Sequence, residues 1–290
     1  MAVARMRIAI LADIHGNLPA LEAVVADLRA QRPDAVYLAG DQVNRCPWSN
    51  EVMDLVAAEG WPMIAGNHEL ALAKLGQPNC PPFLADRRRF PDLWWTHRHL
   101  SAAHLATIRG LPLEMHLTPA GMPPLLVVHG SPCKVTAGFA PGLDDAQLRR
   151  LLAGASAPVV IGAHTHQPVD RQIGAQRVLN PGSVGMPYNG DPRAQYMLLD
   201  AEAAGLRAIF RQVAYPIELV RREFERLDLM GTLGPAAALY LRTVETGLPW
   251  ISDFIYWMRY QPLTVAENMD LAVATYMGRH GPGRWAFAPE

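Results

Sequence analysis

Apolar and polar positions follow two distinct rhythms along this chain. Arg7-Ile8-Ala9-Ile10-Leu11-Ala12 is apolar apart from its first residue, which predicts a strand from Arg7 to Asp13 covered on both faces. Comparable short apolar runs lie at 35–40, 62–66 and 158–162, and 111–117 and 124–129 can pair across the Pro119–Pro124 loop. Segments 168–173, 176–180, 194–200 and 205–213 read as successive antiparallel strands, with Gly174, Asn189-Gly190 and Gly205 at turns. Between the early strands the rhythm becomes helical: Asn17 is a candidate N-cap, Pro19 suits a first turn, and Leu21, Val24, Val25 and Leu28 share one face. A second helix is expected near 49–59, with Val52, Leu55 and Val56 inward, and a short one over 144–152. The βαβαβ opening predicts an α/β fold, a four-layer α/β/β/α sandwich of two mixed sheets with outer helices. Ligands in such folds gather at the carboxyl ends of the strands.

Two stretches leave this pattern. From Gln77 to Gly110, Pro78, Pro81 and Pro82 break the chain, Arg87-Arg88-Arg89 forms a basic run, and a helical segment carries Leu100, Leu105 and Ile108. Trp94, Trp95, His97, His99 and His104 lie here; a helical cap packed on the core with solvated histidines is preferred to a substrate-facing cap. Beyond Tyr215 the chain turns helical, through Ile217, Val220, Phe224 and Leu227, then Trp250, Phe254 and Trp257, then a helix from Leu263 to Met277. The expected organisation is a domain over 1–212 with an insert about 77–110, followed by a helical extension over 213–290. Those last helices are the candidate surface for a homo-oligomer.

Composition narrows the setting. A length of 290 residues allows a sizeable core, and a net charge of −1 predicts neither a long nucleic-acid footprint nor an acidic-membrane surface. Three cysteines, Cys46, Cys80 and Cys133, lack paired spacing and point to free thiols in a reducing compartment; Cys46 and Cys133 are read as packing residues. The first strand begins too early for a signal peptide and no apolar run reaches the ~18–20 residues of a membrane span, so a cytoplasmic location is expected.

The chemistry is concentrated where apolar runs end. Asp13 and His15 follow the first strand, and residues i and i+2 of an extended chain point to one side. Gly40-Asp41, Gly66-Asn67-His68-Glu69, His129-Gly130 and Gly162-Ala163-His164-Thr165-His166 end four further runs. A glycine beside each cluster lets the backbone turn sharply and approach a ligand. As a set these motifs resemble the calcineurin-like metallophosphoesterases, and more narrowly a bacterial and archaeal branch of small phosphodiesterase-like members. Asn180-Pro181-Gly182-Ser183-Val184-Gly185 and Gly190-Asp191-Pro192-Arg193 belong to the same likeness, which covers roughly the first 212 residues.

Asp, His and Asn ligands without paired cysteines suit divalent ions, Mn favoured, with Fe, Zn, Ni or Co as alternatives. Seven such groups exceed the needs of one ion, whereas two ions sharing a ligand would use them all. Two dications about 4 Å apart repel by roughly 16 kcal/mol at an effective dielectric of 20, and a shared carboxylate offsets much of that. The resemblance implies that Asp41 is the bridge, with Asp13, His15 and His166 on one ion and Asn67, His129 and His164 on the other. It also implies attack by a metal-bridging hydroxide, with His68 aiding the leaving oxygen and Arg45 binding phosphate. His68 is not expected to be a ligand beside Asn67, since adjacent residues point apart, and Glu69 is a candidate to orient it. Asn44 and Cys46 replace small residues around Arg45, and Tyr188 replaces what is often an arginine.

The expected activity is hydrolysis of a small phosphoester, a phosphodiester or nucleotide favoured, by a metal-dependent phosphatase or phosphodiesterase. A diadenosine-polyphosphate hydrolase or a protein phosphatase is the alternative within that class. A nuclease is disfavoured because only Arg87-Arg88-Arg89 clusters positive charge, and no stable nucleic-acid partner is expected. A non-catalytic scaffold on the same fold is the alternative of another class, and the presence of His68 counts against it.

Overall fold

The computed structural model describes residues 6–202 and 205–279. The N-terminal stretch read as too short for a signal peptide falls largely on residues 1–5. Those residues, 203–204 in the Gly205 turn and 280–290 of the extension lie outside the described residues.

The chain opens with β1 (Arg7–Leu11), α1 (Leu18–Gln31), β2 (Ala35–Leu38), α2 (Ser49–Glu59) and α3 (Asn67–Lys74). The insert supplies α4 (Pro82–Ala85), α5 (Pro91–His99) and α6 (Ala102–Arg109). Then come β3 (Glu114–Leu117), β4 (Leu125–Val128), α7 (Asp145–Leu151), β5 (Val159–Ile161), β6 (Pro168–Ile173), β7 (Gln176–Pro181), β8 (Ala194–Glu202) and β9 (Gly205–Val213). The extension holds α8 (Ile217–Arg226), α9 (Leu229–Leu233), α10 (Ala236–Thr246), α11 (Trp250–Met258), α12 (Leu263–Ala266) and α13 (Met269–Arg279).

Two sheets form, in the orders β2-β1-β8-β9 and β3-β4-β5-β7-β6. Each mixes parallel and antiparallel pairs: β1 runs parallel to β2 and antiparallel to β8, and β5 runs parallel to both β4 and β7 while β6 returns antiparallel. Strand alternation explains the layers. Ile8 and Ile10 meet Leu125, Val127, Ile161 and Met197 between the sheets, while Ala9 and Leu11 meet Leu21, Val24, Val52 and Val56 of the outer helices. On the far side Leu126, Val128 and Val160 pack against Leu148 of α7. The four-layer α/β/β/α sandwich is therefore built by strands apolar on both faces.

Some local expectations fail for local reasons. The strand over 62–66 is reduced to a single bridge between Leu38 and Met63, since Pro62 has no N–H to give and the chain turns into α3 at Gly66. The helix through Leu100 is two helices, because Asn50 accepts from Ser101 N and donates to His99 O, while Ser101 caps α6. The helix over 263–277 is likewise broken: the Asn268 side chain accepts from Leu271 N and restarts the chain as α13. Cys133 is exposed rather than a packing residue, although Cys46 is buried, and all three cysteines are free.

The insert and the extension both reach the carboxyl ends of the strands. Insert residues Leu84, Leu93, Leu100 and Ile108 pack with Val43, Met53 and Leu72. The extension packs Tyr240, Leu239 and Phe254 in one cluster with Cys46, Trp95, Met186 and Tyr188.

Candidate metal centre

The loops after β1, β2, β4 and β5 and the N-terminus of α3 converge at one end of the sandwich. Backbone hydrogen bonds fasten them together: Asp13 N donates to Gly40 O, His15 N to Asp41 O, and Ala163 N to His129 O. The Asn180-to-Gly185 motif is part of this fastening. Ser183 Oγ donates to Asp13 O at 2.7 Å, and Asn180 Nδ2 donates to Phe139 O, Ala163 O and Thr165 Oγ1.

The ligands do not converge by the pleat of an extended strand, as the i, i+2 spacing suggested. Asp13 and His15 have φ of 53° and 50°, and Asp41, His164 and His166 have 54°, 65° and 55°. Nine non-glycine residues adopt positive φ among the described residues, and seven of them are here, Asn44 and Arg45 being the others. Each such conformation costs of order 1–3 kcal/mol and persists only where the surroundings enforce it. Glycine is required next to them. A Cβ on Gly66 would overlap the Asp41 carboxylate, and Gly40, at φ +96°, would press one against His129 Nδ1.

All seven predicted metal-site residues meet in this cluster. Asp13, His15 and His166 present ligand atoms within 4.8 Å of one another, as do Asp41, His129 and His164. Asp41 Oδ2 lies 3.3 Å from His129 Nε2 and 3.7 Å from His15 Nε2, so it reaches both groups. Asn67 Oδ1 is 3.1 Å from His129 Nε2. Asp13, Asp41, His15, His129 and His166 are buried, whereas Asn67 and His164 are half-buried and give the cluster its open side.

The donor set fits a divalent cation. His166 Nδ1 donates to Met186 O, which leaves Nε2 as an acceptor. That nitrogen faces Asp13 Oδ1 at 3.3 Å and His15 Nε2 at 3.2 Å, yet Asp13 Oδ1 accepts no hydrogen bond. Acceptors held face to face in a buried site call for a positive ion between them. His129 behaves alike: Nδ1 donates to Ala39 O at 2.8 Å and Nε2 turns to Asp41. Burial alone would lower His129, but the Asp41 carboxylate raises it to about 10, so a proton occupies this position until a cation displaces it. Burial pushes His68 and His164 each down to about 4, and His15 well below its ordinary value.

Glu69 and His68 behave differently from expectation. Glu69 does not orient His68. It is buried and accepts from the backbone N–H groups of Asp41, Val43 and Gly66, tying the Asp41 loop to the start of α3. His68 sits in the first turn of α3 rather than on a strand, so Asn67 beside it does not turn it away. Its Nε2 lies 3.9 Å from Asp41 Oδ2, within the span of a His15–Asp41–His68 group. Arg45 is held by Asp92 Oδ2 at 3.1 Å and lies under the Tyr240 ring, 4.6 Å from its centroid. Tyr188 stacks on His166 with centroids 4.1 Å apart, and its hydroxyl accepts from Ser252 of α11.

Asp92, Thr96 and Tyr240 escaped the sequence reading. An acidic residue in a first helical turn ordinarily serves the helix dipole, and nothing local marks it as reaching a loop 48 residues away.

A family model described as the calcineurin-like phosphoesterase superfamily domain matches residues 6–204. A metallophosphoesterase from Sphaerobacter thermophilus is similar in structure and sequence, at TM-score 0.65 and 27% identity, over 84% of this chain and 99% of that one. The hypothetical protein PH1004 from Pyrococcus horikoshii OT3 shares the fold at TM-score 0.71 and 21% identity, over 83% of this chain and 98% of its own. An uncharacterized protein of Methanocaldococcus jannaschii, MJ0912, is 24% identical over 267 residues, 86% of this chain and 97% of its own length.

Proposed function

The chain belongs to the calcineurin-like phosphoesterase superfamily, and from that premise we propose that it is a dinuclear-metal phosphoesterase hydrolysing a small phosphodiester or nucleotide. The observation that carries this reading is the pair of groups Asp13–His15–His166, buried, and Asp41–His129–His164, open at His164, joined at Asp41. In this reading Asp13, His15 and His166 would hold one divalent ion, Asn67, His129 and His164 would hold the other, and Asp41 would be shared between them. Manganese is the favoured metal, because nitrogen and oxygen donors without thiolate suit it; Fe, Zn, Ni and Co share that chemistry. Such ions supply Lewis acidity to the phosphoryl oxygens and lower the pKa of bound water towards about 7.

The protein's own groups do the rest. Asp13 and Asp41 cancel half of the four positive charges of two dications, leaving a centre that still attracts an anionic phosphoryl group. The half-buried side, at Asn67 and His164, is the entry for substrate. Arg45, tethered by Asp92, is assigned the phosphate oxygens, for which a guanidinium fork is suited. His68 is assigned the leaving oxygen. Residues 1–212 are then the catalytic domain, carrying the 77–110 insert, and the extension from 213 closes its rim. No helix among the described residues is long and apolar enough to cross a membrane. The cytoplasmic placement is our reading from the free thiols.

Metal-depleted protein assayed on bis-p-nitrophenyl phosphate, before and after Mn²⁺ is restored, tests this. Turnover that returns with metal is expected, and turnover that survives full metal removal rejects the assignment. A panel of diesters, monoesters and nucleotides then separates the substrate classes.

A further inference from the structure

We infer that Asn44, locked in place by Asp92 and Thr96 of the insert, fixes His68 as a hydrogen-bond donor to the leaving oxygen and withholds it from the metals. This deepens the phosphoesterase reading above and rests on it. By distance alone His68 qualifies as a ligand, since its Nε2 lies within reach of the same cation as His15 and Asp41. The hydrogen bonds on its other nitrogen decide otherwise.

Asn44 is buried, and the orientation of its amide is assigned by a neighbour that leaves no choice. The Asp92 carboxylate can only accept, and it lies 2.9 Å from Asn44 Nδ2, so that atom is the NH₂ group. With that end fixed, the Thr96 hydroxyl, which can donate as well as accept, gives its hydrogen to Asn44 Oδ1 at 2.8 Å. The second hydrogen of Asn44 Nδ2 then points to His68 Nδ1, 2.7 Å away. His68 Nδ1 is therefore an acceptor, and the ring proton resides on Nε2, the nitrogen facing the cluster. Burial alone would raise the Asp92 carboxyl, but the Arg45 guanidinium beside it holds it below its usual range, so it remains an acceptor.

This is the reverse of His166, whose Nδ1 donates to Met186 O and leaves a lone pair on Nε2, and of His129, whose Nδ1 donates to Ala39 O and whose Nε2 gives up its proton when a cation binds. Two histidines are set up to bind a cation and the third to offer a proton. A metal on His68 Nε2 would need its proton moved to Nδ1, against the Asn44 NH₂ group.

A substrate class follows. During hydrolysis a water oxygen forms a bond to phosphorus, the bond from phosphorus to the leaving oxygen breaks, and its electron pair stays on that oxygen. A neutral imidazole N–H hydrogen-bonds that developing anion but surrenders its proton far less readily than an imidazolium would. The favoured substrates are those whose leaving oxygen bears charge easily: phosphoanhydrides and aryl or enol esters, ahead of alkyl esters.

The test uses metal-loaded wild type, His68→Ala, Asn44→Ala, Thr96→Val and the Asn44→Ala/His68→Ala double variant, on aryl phosphodiesters with phenols of increasing pKa. His68→Ala should keep the wild-type metal content and lose about a hundredfold in kcat on the poorest leaving group, less on the best, with little change in KM. Asn44→Ala should reproduce part of that pattern, Thr96→Val a smaller part, and neither should add to the loss already present in His68→Ala. Nitrogen-15 spectra of zinc-loaded protein should show the His68 proton on Nε2. Loss of metal from His68→Ala, an Asn44→Ala loss that multiplies with that of His68→Ala, or equal losses across all leaving groups would overturn the inference. Failure of the parent reading is seen separately, as a wild type without metal-dependent turnover on any ester, and it removes this inference as well.

Discussion

The two ends of β1 stand in opposite electrostatic conditions. At its start, Arg7 grips Asp200 of β8 through two bonds of 2.6 and 2.8 Å, and Arg207 of β9 adds a third contact to the same carboxylate at 3.3 Å. Just past its other end, Asp13 is fully buried in a left-handed conformation, with one carboxylate oxygen that accepts no hydrogen bond. Over the six-residue step from Arg7 to Asp13 the strand runs from a carboxylate that the fold satisfies by itself to one that needs something the chain does not contain. The first kind of end holds the sandwich together. The second is held in place by the sandwich, and that unmet demand is what makes it a binding site.

Asp13→Asn perturbs the unsatisfied end most strongly. The amide oxygen can still accept from His164 N, and its NH₂ group gains His166 Nε2 as an acceptor. Activity is expected to fall about a thousandfold. The metal-free protein should become more stable by about 1 kcal/mol, since a buried orphan acceptor is replaced by a made hydrogen bond. Turnover assays with denaturant melts of metal-free protein read both, and a clearly destabilised variant would contradict the picture of an unsatisfied end.

Metal addition tests the same end in the opposite direction. At a free metal concentration about a hundredfold above Kd, one bound ion stabilises the fold by about 2.7 kcal/mol. Thermal melts across a Mn²⁺ titration should show this rise in wild type and a reduced one in Asp13→Asn. Equal rises in the two proteins would mean that the stabilising ion sits elsewhere.

At the satisfied end the expectation is smaller and reversed. Asp200→Asn should cost about 1–2 kcal/mol of stability, because Arg7 and Arg207 lose a largely buried partner, while kcat stays within about twofold. Its pH dependence has a definite sign. The hydrogen bond from Arg7 holds Asp200 below the ordinary carboxylate value, burial opposing it. The unfolded chain therefore binds a proton first as pH falls. The contribution of Asp200 is complete above its unfolded pKa of about 3.9 and is lost as pH drops through the lower folded value. Acid unfolding followed by circular dichroism should show a shallower limb in Asp200→Asn than in wild type. Parallel limbs would show that this carboxylate is not what acid removes.

The legibility of the chain divides along the same line. Continuous apolar runs located β1, β4 and β5 because these strands fill two layers with their own side chains, and the turn residues between them located the β6–β9 strands. The ligands were legible because an aspartate or histidine ending an apolar run beside a glycine has few structural uses. Their backbone was not, since the left-handed turns at Asp13, His15, Asp41, His164 and His166 are enforced by neighbouring loops rather than by the residues themselves. Helix breaks at Ser101 and Asn268 depend on side chains acting as caps, and Ser101 on Asn50 from another helix. The contact of Asp92 with Asn44 joins segments 48 residues apart, and no periodicity records such a pairing.

The order of residues already carries which groups are present and where each stands relative to its strand: seven ligand-type side chains at the ends of apolar runs, and helical stretches at 77–110 and beyond 215. Those facts follow from local patterning, which any segment carries independently of its neighbours. Folding in three dimensions sets which nitrogen of His68, His129 and His166 faces the cluster, which carboxylate lacks a bond, and that insert and extension meet at Arg45 through Asp92 and Tyr240. Hydrogen-bond direction is a property of pairs brought together in space, so it comes into existence only when the chain has folded.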